Sequence, residues 1–411
     1  QWHQIFKREQ QIPNIEAVKN HKEKSRLKLP NRLKQFFIFF KRDFRNKIKD
    51  NQYLLINLLQ APILAFGLAY VNRYYEAEKG IYLLGNNENL PAYIFIAIIV
   101  AIFSGLVGSA EQIIGDRKSL RREQFIHLSR NSYLLAKISV LIIISGVQTF
   151  ILVWVGNNVL GIEDMFFEYF LILFACSVFA NVLGLNISDS FKSAITVYIL
   201  IPLLLIPQLV LGGIVIRFDK VNPDFKWHKD DHIPWFSEAL ASRWAFEALI
   251  VVQFKDNIYE SPLYPYDKII ATAEYKKVFY LNELEKMLKK AKSDPYSAQK
   301  YFRVLKKELE EELEIIDKKE LPNLYGLSDR RNLPGMYTYL EKLLHKIRFY
   351  YHTNQQIAQK SKDSFLKSNL RHQELRSLHH NEAAAILAKQ SQSEKKIILN
   401  NDYIEPVVNA V

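Results

Sequence analysis

The sequence predicts an all-α polytopic membrane helix bundle that carries a separate helical domain outside the bilayer. Three observations predict it. Before residue 220, apolar runs long enough to cross a bilayer recur five times, each close to the about 20 residues a spanning helix needs. Charge is concentrated in the first 50 residues and after residue 255. From Leu281 onward, leucines return at the three- and four-residue spacing of amphipathic helices. Over all 411 residues the chain is 49% hydrophobic and 24% charged, values that also suit a soluble protein, so the segregation and not the average decides the class. The 55 Lys plus Arg against 43 Asp plus Glu leave a net charge of +12, but the excess flanks apolar spans, where basic residues mark the cytoplasmic side; this argues against nucleic acid as a partner. A single cysteine, Cys176, excludes an intrachain disulfide framework and any Cys-based zinc or iron–sulfur site.

A basic stretch over residues 1–30 leads into an amphipathic segment over 31–50. The five spans then fill residues 51–217, at Tyr53 to Val71, Pro91 to Ala110, Leu134 to Gly156, Phe166 to Ile187 and Ala194 to Ile216. None is an N-terminal signal peptide, since the first follows a long charged segment. The segment before the first span carries 14 Lys/Arg, whereas the next connection has only Arg73 and Lys79. The connection between spans two and three has Arg117, Lys118, Arg121, Arg122 and Arg130; the following one has only Glu163 and Asp164, and the last has Lys192. This alternation predicts a cytoplasmic N-terminus and, after five crossings, an extracytoplasmic segment from 218 to 411.

Residues 218–255 begin that outer region, and Trp235 to Phe254 read as an aromatic amphipathic helix suited to the membrane boundary or to a partial re-entry into it. Residues 256–411 then form a helical domain in which Leu281, Leu284 and Leu288, next Leu305, Leu309 and Leu313, and next Leu340, Leu344, Ile347 and Tyr351 make apolar stripes. Asp294-Pro295, Leu321-Pro322 and Leu333-Pro334-Gly335 break it into several helices. The start without Met and the end without a sixth span lead us to expect an excerpt from a longer protein.

No catalytic motif stands on this chain. Neither the phosphate-binding G-x-x-x-x-G-K-[ST] run nor G-x-G-x-x-G or G-x-S-x-G occurs, so any ATP-driven step needs a motor outside this sequence. His228 and His232 lie four apart with carboxylates between them, a spacing that suits a metal only weakly and more often marks a solvated loop. Within the spans, Gln148, Asn181 and Asn186 either bond between helices, the reading we favour, or line a pathway. Pro202 and Pro207, each removing a backbone donor, and the pair Gly212-Gly213 should bend the fifth span and make it a candidate hinge.

The connection between spans two and three reads Ser109-Ala110-Glu111-Gln112-Ile113-Ile114-Gly115-Asp116-Arg117-Lys118-Ser119-Leu120-Arg121-Arg122-Glu123, and span three opens with Tyr133-Leu134-Leu135-Ala136-Lys137. This resembles the transmembrane domain of ABC-2 or ABCG-like exporters, in which an Arg-rich cytoplasmic helix leads to a Tyr/Ala/Lys entry into span three. A second match, Ile233-Pro234-Trp235 followed by Ser242-Arg243-Trp244-Ala245-Phe246-Glu247-Ala248-Leu249, is similar to the outer re-entrant segment of that family. The resemblance covers about residues 31–255 and departs from the family in the missing sixth span and the long outer insertion.

The resemblance implies a permease half, working as a homodimer or paired half-transporter, fused after an ATP-binding domain to which residues 1–30 would be the linker. It implies that the connecting loop over 111–133, with Glu111, Asp116, Arg117, Arg121, Arg122 and Glu123, couples to that domain, and that Trp235, Arg243, Trp244, Phe246 and Glu247 belong to the re-entrant segment. Spans two and five would flank the pathway. ATP and magnesium would belong to the missing motor domain, with no cofactor on this chain. The expected function is ATP-driven export of an amphipathic or lipid-like substrate by alternating access, in the plasma (cytoplasmic or inner) membrane, with the bilayer and an extracytoplasmic protein as further partners. The alternatives are export of a polysaccharide or peptide by the same architecture, and a non-transporting scaffold or sensor whose outer helices bind a partner.

Overall fold

A computed structural model describes residues 2–4, 30–74, 82–124, 129–216, 221–222, 224, 234–293, 298–316 and 333–387. Among the described residues the regular elements are helices, and no strand occurs. The chain divides into two compact units, one made of residues 1–50 with 116–140 and the other of residues 51–115 with 141–411.

In the first unit, α1 (Arg32–Lys49) starts at Asn31, whose side chain accepts from the Arg32 amide, and ends with Lys47 and Lys49 placed favourably for the helix dipole. Its buried stripe is Gln35, Phe39, Asp43 and Lys47, each four residues from the next. Most of that stripe is polar, while Phe37 and Ile38 are exposed. An amphipathic helix that turns its polar side inward leaves its aromatic side for an apolar surrounding, as suits a helix in a membrane interface. Phe39 packs edge-on to Tyr133 with ring centroids 5.7 Å apart, in a small core with Ala136.

The second unit holds the helix bundle. Among the described residues, four helices are long and apolar enough to cross a membrane: α2 (Asn51–Asn72), α3 (Leu90–Ser109, which runs on into the charged α4, Gln112–Gln124), α5 (Arg130–Leu160) and α6 (Phe166–Ser190). This chain is a multi-pass membrane protein. Helices α3 and α6 approach through small residues: a Cβ added at Gly105 would lie 2.4 Å from the Ser177 carbonyl oxygen, and one at Gly184 would lie 2.0 Å from Ser109 Oγ. Small residues let the backbones meet this closely where lipid gives no hydrophobic drive to helix pairing.

The fifth apolar run differs from its expected length. It forms α7 (Ala194–Val210) of 17 residues, about 26 Å at 1.5 Å per residue, and residues 211–216 are bends rather than helix. Pro202 and Pro207 carry no amide hydrogen, so the carbonyls of Tyr198 and Leu203 lose their helical donors. The helix ends at Val210, and Gly213, with φ of +95°, follows in a conformation that does not resume it. The expected aromatic helix after it is also divided: Trp235–Ala239 is a 3-10 turn, and α8 (Ala241–Lys255) packs against α3, α6 and α7 with Leu249 and Ile250 fully buried.

Beyond it, α9 (Tyr264–Tyr275), a π turn at Lys276–Tyr280, α10 (Leu281–Ser293), α11 (Ala298–Ile316) and α12 (Leu333–Ser368) build the helical domain around Leu281, Leu284, Leu288, Leu305, Leu309, Leu340, Leu344, Ile347 and Tyr351. Its core contains the buried carboxylate of Glu312, paired with Lys276 and accepting the Tyr351 hydroxyl. Helix α13 (Leu370–His379) then returns the chain to the bundle, where Asn381 donates to the carbonyls of Leu84 at 2.7 Å and Asn87 at 2.9 Å, and Ala384 and Ala385 join the bundle core.

Candidate functional site

The Arg-rich segment forms α4, and its first turn is fixed by a neighbour: Ser188 Oγ of α6 accepts from the amides of Ile113 at 3.1 Å and Ile114 at 3.2 Å. These are amides that a helix start leaves without an intrahelical acceptor. Within the first unit, α4, α1 and the start of α5 meet at a charge cluster. Lys137 Nζ lies 2.5 Å from Asp43 Oδ1 and 2.8 Å from Asp116 Oδ2, with the lysine and Asp43 side chains largely buried. Tyr133 donates its hydroxyl to Asp116 Oδ2 at 2.8 Å. Around it, the Ser129 amide donates to Gln35 Oε1 at 2.7 Å and the Ser132 hydroxyl to the Arg32 carbonyl at 3.0 Å. Burial pushes the Lys47 amine down to about 8, an effect that Asp43 partly opposes.

Of the expected coupling residues, Asp116 is thus inside the cluster, Arg117 is half-buried, and Arg121 and Arg122 are exposed on α4. Glu123 falls in the last turn of the helix. Glu111 precedes α4, is exposed, and accepts a hydrogen bond from the Tyr198 side chain of α7. Sequence reasoning missed Asp43 and Lys47, and treated Lys137 only as part of a motif. The signal was present: Asp43 is the single acidic residue between 31 and 49, and a lysine opening an apolar run needs a counter-charge.

The α8 segment holds the second group. Arg243 is buried, 3.9 Å from Glu247, and its guanidinium lies 4.5 Å from the ring centre of exposed Trp244. The Trp244 indole donates to the Glu238 carbonyl at 2.7 Å, and Phe246 meets Phe95 of α3 edge-on at 5.7 Å. Trp235 is exposed on the preceding turn. Ser242 ties α8 to the end of α7, its amide donating to Gln208 Oε1 at 2.9 Å and its hydroxyl to the Gln208 carbonyl at 2.8 Å. Tyr169 of α6 donates to Gln253 Oε1 at 2.8 Å.

Gln148 and Asn181 bond between helices, whereas Asn186 is exposed on α6 and the Asn157 side chain of α5 is buried without a hydrogen-bond partner. Gln148 donates to the Asn57 carbonyl at 3.1 Å and side-chain oxygen at 3.2 Å, joining α5 to α2. Asn181 and Ser177 of α6 donate to Ser145 Oγ of α5 at 2.6 and 2.9 Å. Gly212 is needed for close approach, since a Cβ there would sit 2.3 Å from the Phe95 ring. His228 and His232 lie outside the described residues.

The ABC transporter ATP-binding/permease protein Rv1747 of Mycobacterium tuberculosis is 26% identical over 246 residues, which is 57% of this chain and 27% of that protein. The match therefore spans well under a third of that relative's length. The family described as ABC-2 type transporter matches residues 34–254, from α1 to the end of α8. With more than half of its length so matched, the chain belongs to the ABC-2 type transporter family.

Proposed function

We propose that this chain is the permease part of an ATP-driven exporter, acting as a dimer and driven by an ATP-binding domain that meets α4. The observation that carries the reading is the junction in which Lys137 is locked between Asp43 and Asp116 while Arg121 and Arg122 stay exposed on the same short helix. A helix held by buried ion pairs moves as one body with the elements it is tied to, and α5 continues from that junction as a span. A push on α4 is then delivered to α5 as tilt rather than absorbed by bending. Two exposed guanidinium groups suit docking to carboxylates of a motor domain.

The cargo we propose is amphipathic or lipid-like. Gln148 and Asn181 are occupied by bonds between helices, and the spans carry few charged groups with which to recognise a polar solute. The N-terminus would lie in the cytoplasm, with residues 218–411 on the other side, following the distribution of Lys and Arg. Replacing Arg121 and Arg122 together by Ala should lower substrate-stimulated ATPase of the full-length protein at least several-fold while leaving assembly and unstimulated hydrolysis intact. Unchanged stimulation would remove α4 from the coupling role.

A second reading has a specific observation behind it. The helical domain from α9 to α12 has a core of its own, larger than a connection between spans requires. A scaffold or sensor whose helical domain binds a protein partner would account for it. A P-loop domain directly upstream favours transport, and its absence from the gene and its neighbours favours the scaffold.

A further inference from the structure

We propose that Glu163, Asp164 and His379 form a site for one divalent cation of the zinc class, which ties the end of α13 to the connection between α5 and α6. The ligand atoms of the three side chains all lie within 4.8 Å of one another. His379 is 3% exposed, and among the described residues its ring makes no hydrogen bond or ion pair, although its backbone carbonyl accepts from Asn257 Nδ2 at 3.4 Å. Its ring nitrogens are left available as metal ligands. Of its neighbours, His380 pairs with Glu260, and His372 stacks on Tyr259 at 4.6 Å while its Nε2 is buried without a hydrogen-bond partner. What faces His379 is a pair of exposed carboxylates.

Both sides of the cluster are already held in place. The connection is pinned by Leu160, Ile162 and Met165, all buried in the bundle core, and Asp164 sits at a φ of +58°. The other side is pinned by Asn381, through its two bonds to the carbonyls of Leu84 and Asn87. The ligands therefore come from two anchored segments, which lowers the ordering cost of binding. Metal bonds of about 2.1 Å in tetrahedral geometry place ligand atoms about 3.4 Å apart, and small rotations of the exposed Glu163 and Asp164 side chains reach that spacing. One imidazole with two carboxylates is a donor set for zinc and its neighbours rather than for calcium or magnesium, and three protein ligands leave a fourth position for water.

The test is zinc titration of the metal-stripped full chain in detergent, by competition with a chromophoric chelator, alongside hydrogen exchange over residues 370–387. The wild type should bind one zinc ion per chain at least tenfold more tightly than the E163Q/D164N variant, and zinc should protect 370–387 only in the wild type. Both substitutions are at exposed, near-isosteric positions, so folding is preserved. His379→Asn should show the same loss if it folds. Equal binding by E163Q/D164N would assign the zinc to other histidines and overturn the site. So would tight binding that leaves exchange at 370–387 unchanged, or a preference for calcium over zinc.

Discussion

Lys137 carries more of the account than any other single residue. Its amine is taken out of solvent by the helices around it, and two carboxylates from separate segments replace the lost water. Removing one partner of such a group strands the other charge, which typically costs about 3–5 kcal/mol. Lys137→Ala should therefore lower the melting temperature of the detergent-solubilised chain clearly, and Lys137→Met combined with Asp43→Asn should recover part of the loss. An unchanged melt in Lys137→Ala would mean that the pair does not hold the junction. Lys47 supplies a pH signature. Burial lowers its folded-state value to about 8, below the 10.5 of a solvated lysine, so below pH 8 the folded chain bears the full cost of holding a buried ammonium. Between about 8 and 10.5 the unfolded chain binds more protons than the folded one, and stability rises with pH, by at most about 1.4 kcal/mol per pH unit. Wild type should gain on Lys47→Met in melts from pH 7.5 to 9.5; parallel curves would contradict the shift. The Tyr133-Ala136-Lys137 entry was legible as a motif, but its partner Asp43 lies 94 positions away, and sequence spacing cannot report a pair brought together by folding.

At the scale of elements, hydropathy located four of the long apolar helices within a few residues, because lipid-crossing helices must satisfy their backbone internally and present apolar side chains. What it could not place was the end of α7, which comes at Val210 although the residues remain apolar to Ile216. It also joined Trp235–Ala239 to α8, since composition does not separate a 3-10 turn from an α-helix. The buried side of α1 was illegible for a related reason: the side chains turned inward are Gln35, Asp43 and Lys47, the reverse of a soluble amphipathic helix. Helix α7 also presents an exposed apolar stripe of Ile195, Ile199, Leu203 and Ile206, at four-, four- and three-residue spacing. If two copies meet along this face, Leu203→Cys should give an oxidatively cross-linked dimer in membranes, with the buried Cys176 silent. Absence of a cross-link there, with one from a cysteine at Leu59 on α2, would move the dimer contact away from α7.

For the whole molecule, the family match over 34–254 covers the junction, the spans and α8, whereas the helical domain lies beyond it. The helical bundle was readable because apolar length is a property of single segments. The return of α13 to the bundle was not, because it depends on Asn381 reaching the carbonyls of Leu84 and Asn87 nearly 300 positions earlier in the chain. The central claim is that this chain transmits the work of an ATP-binding domain to a membrane pathway. The most direct measurement is ATP hydrolysis by the full-length protein in nanodiscs, with and without a substitution in the catalytic carboxylate of the upstream motor. The account predicts hydrolysis that this substitution abolishes; a well-folded dimer with no hydrolysis would contradict it.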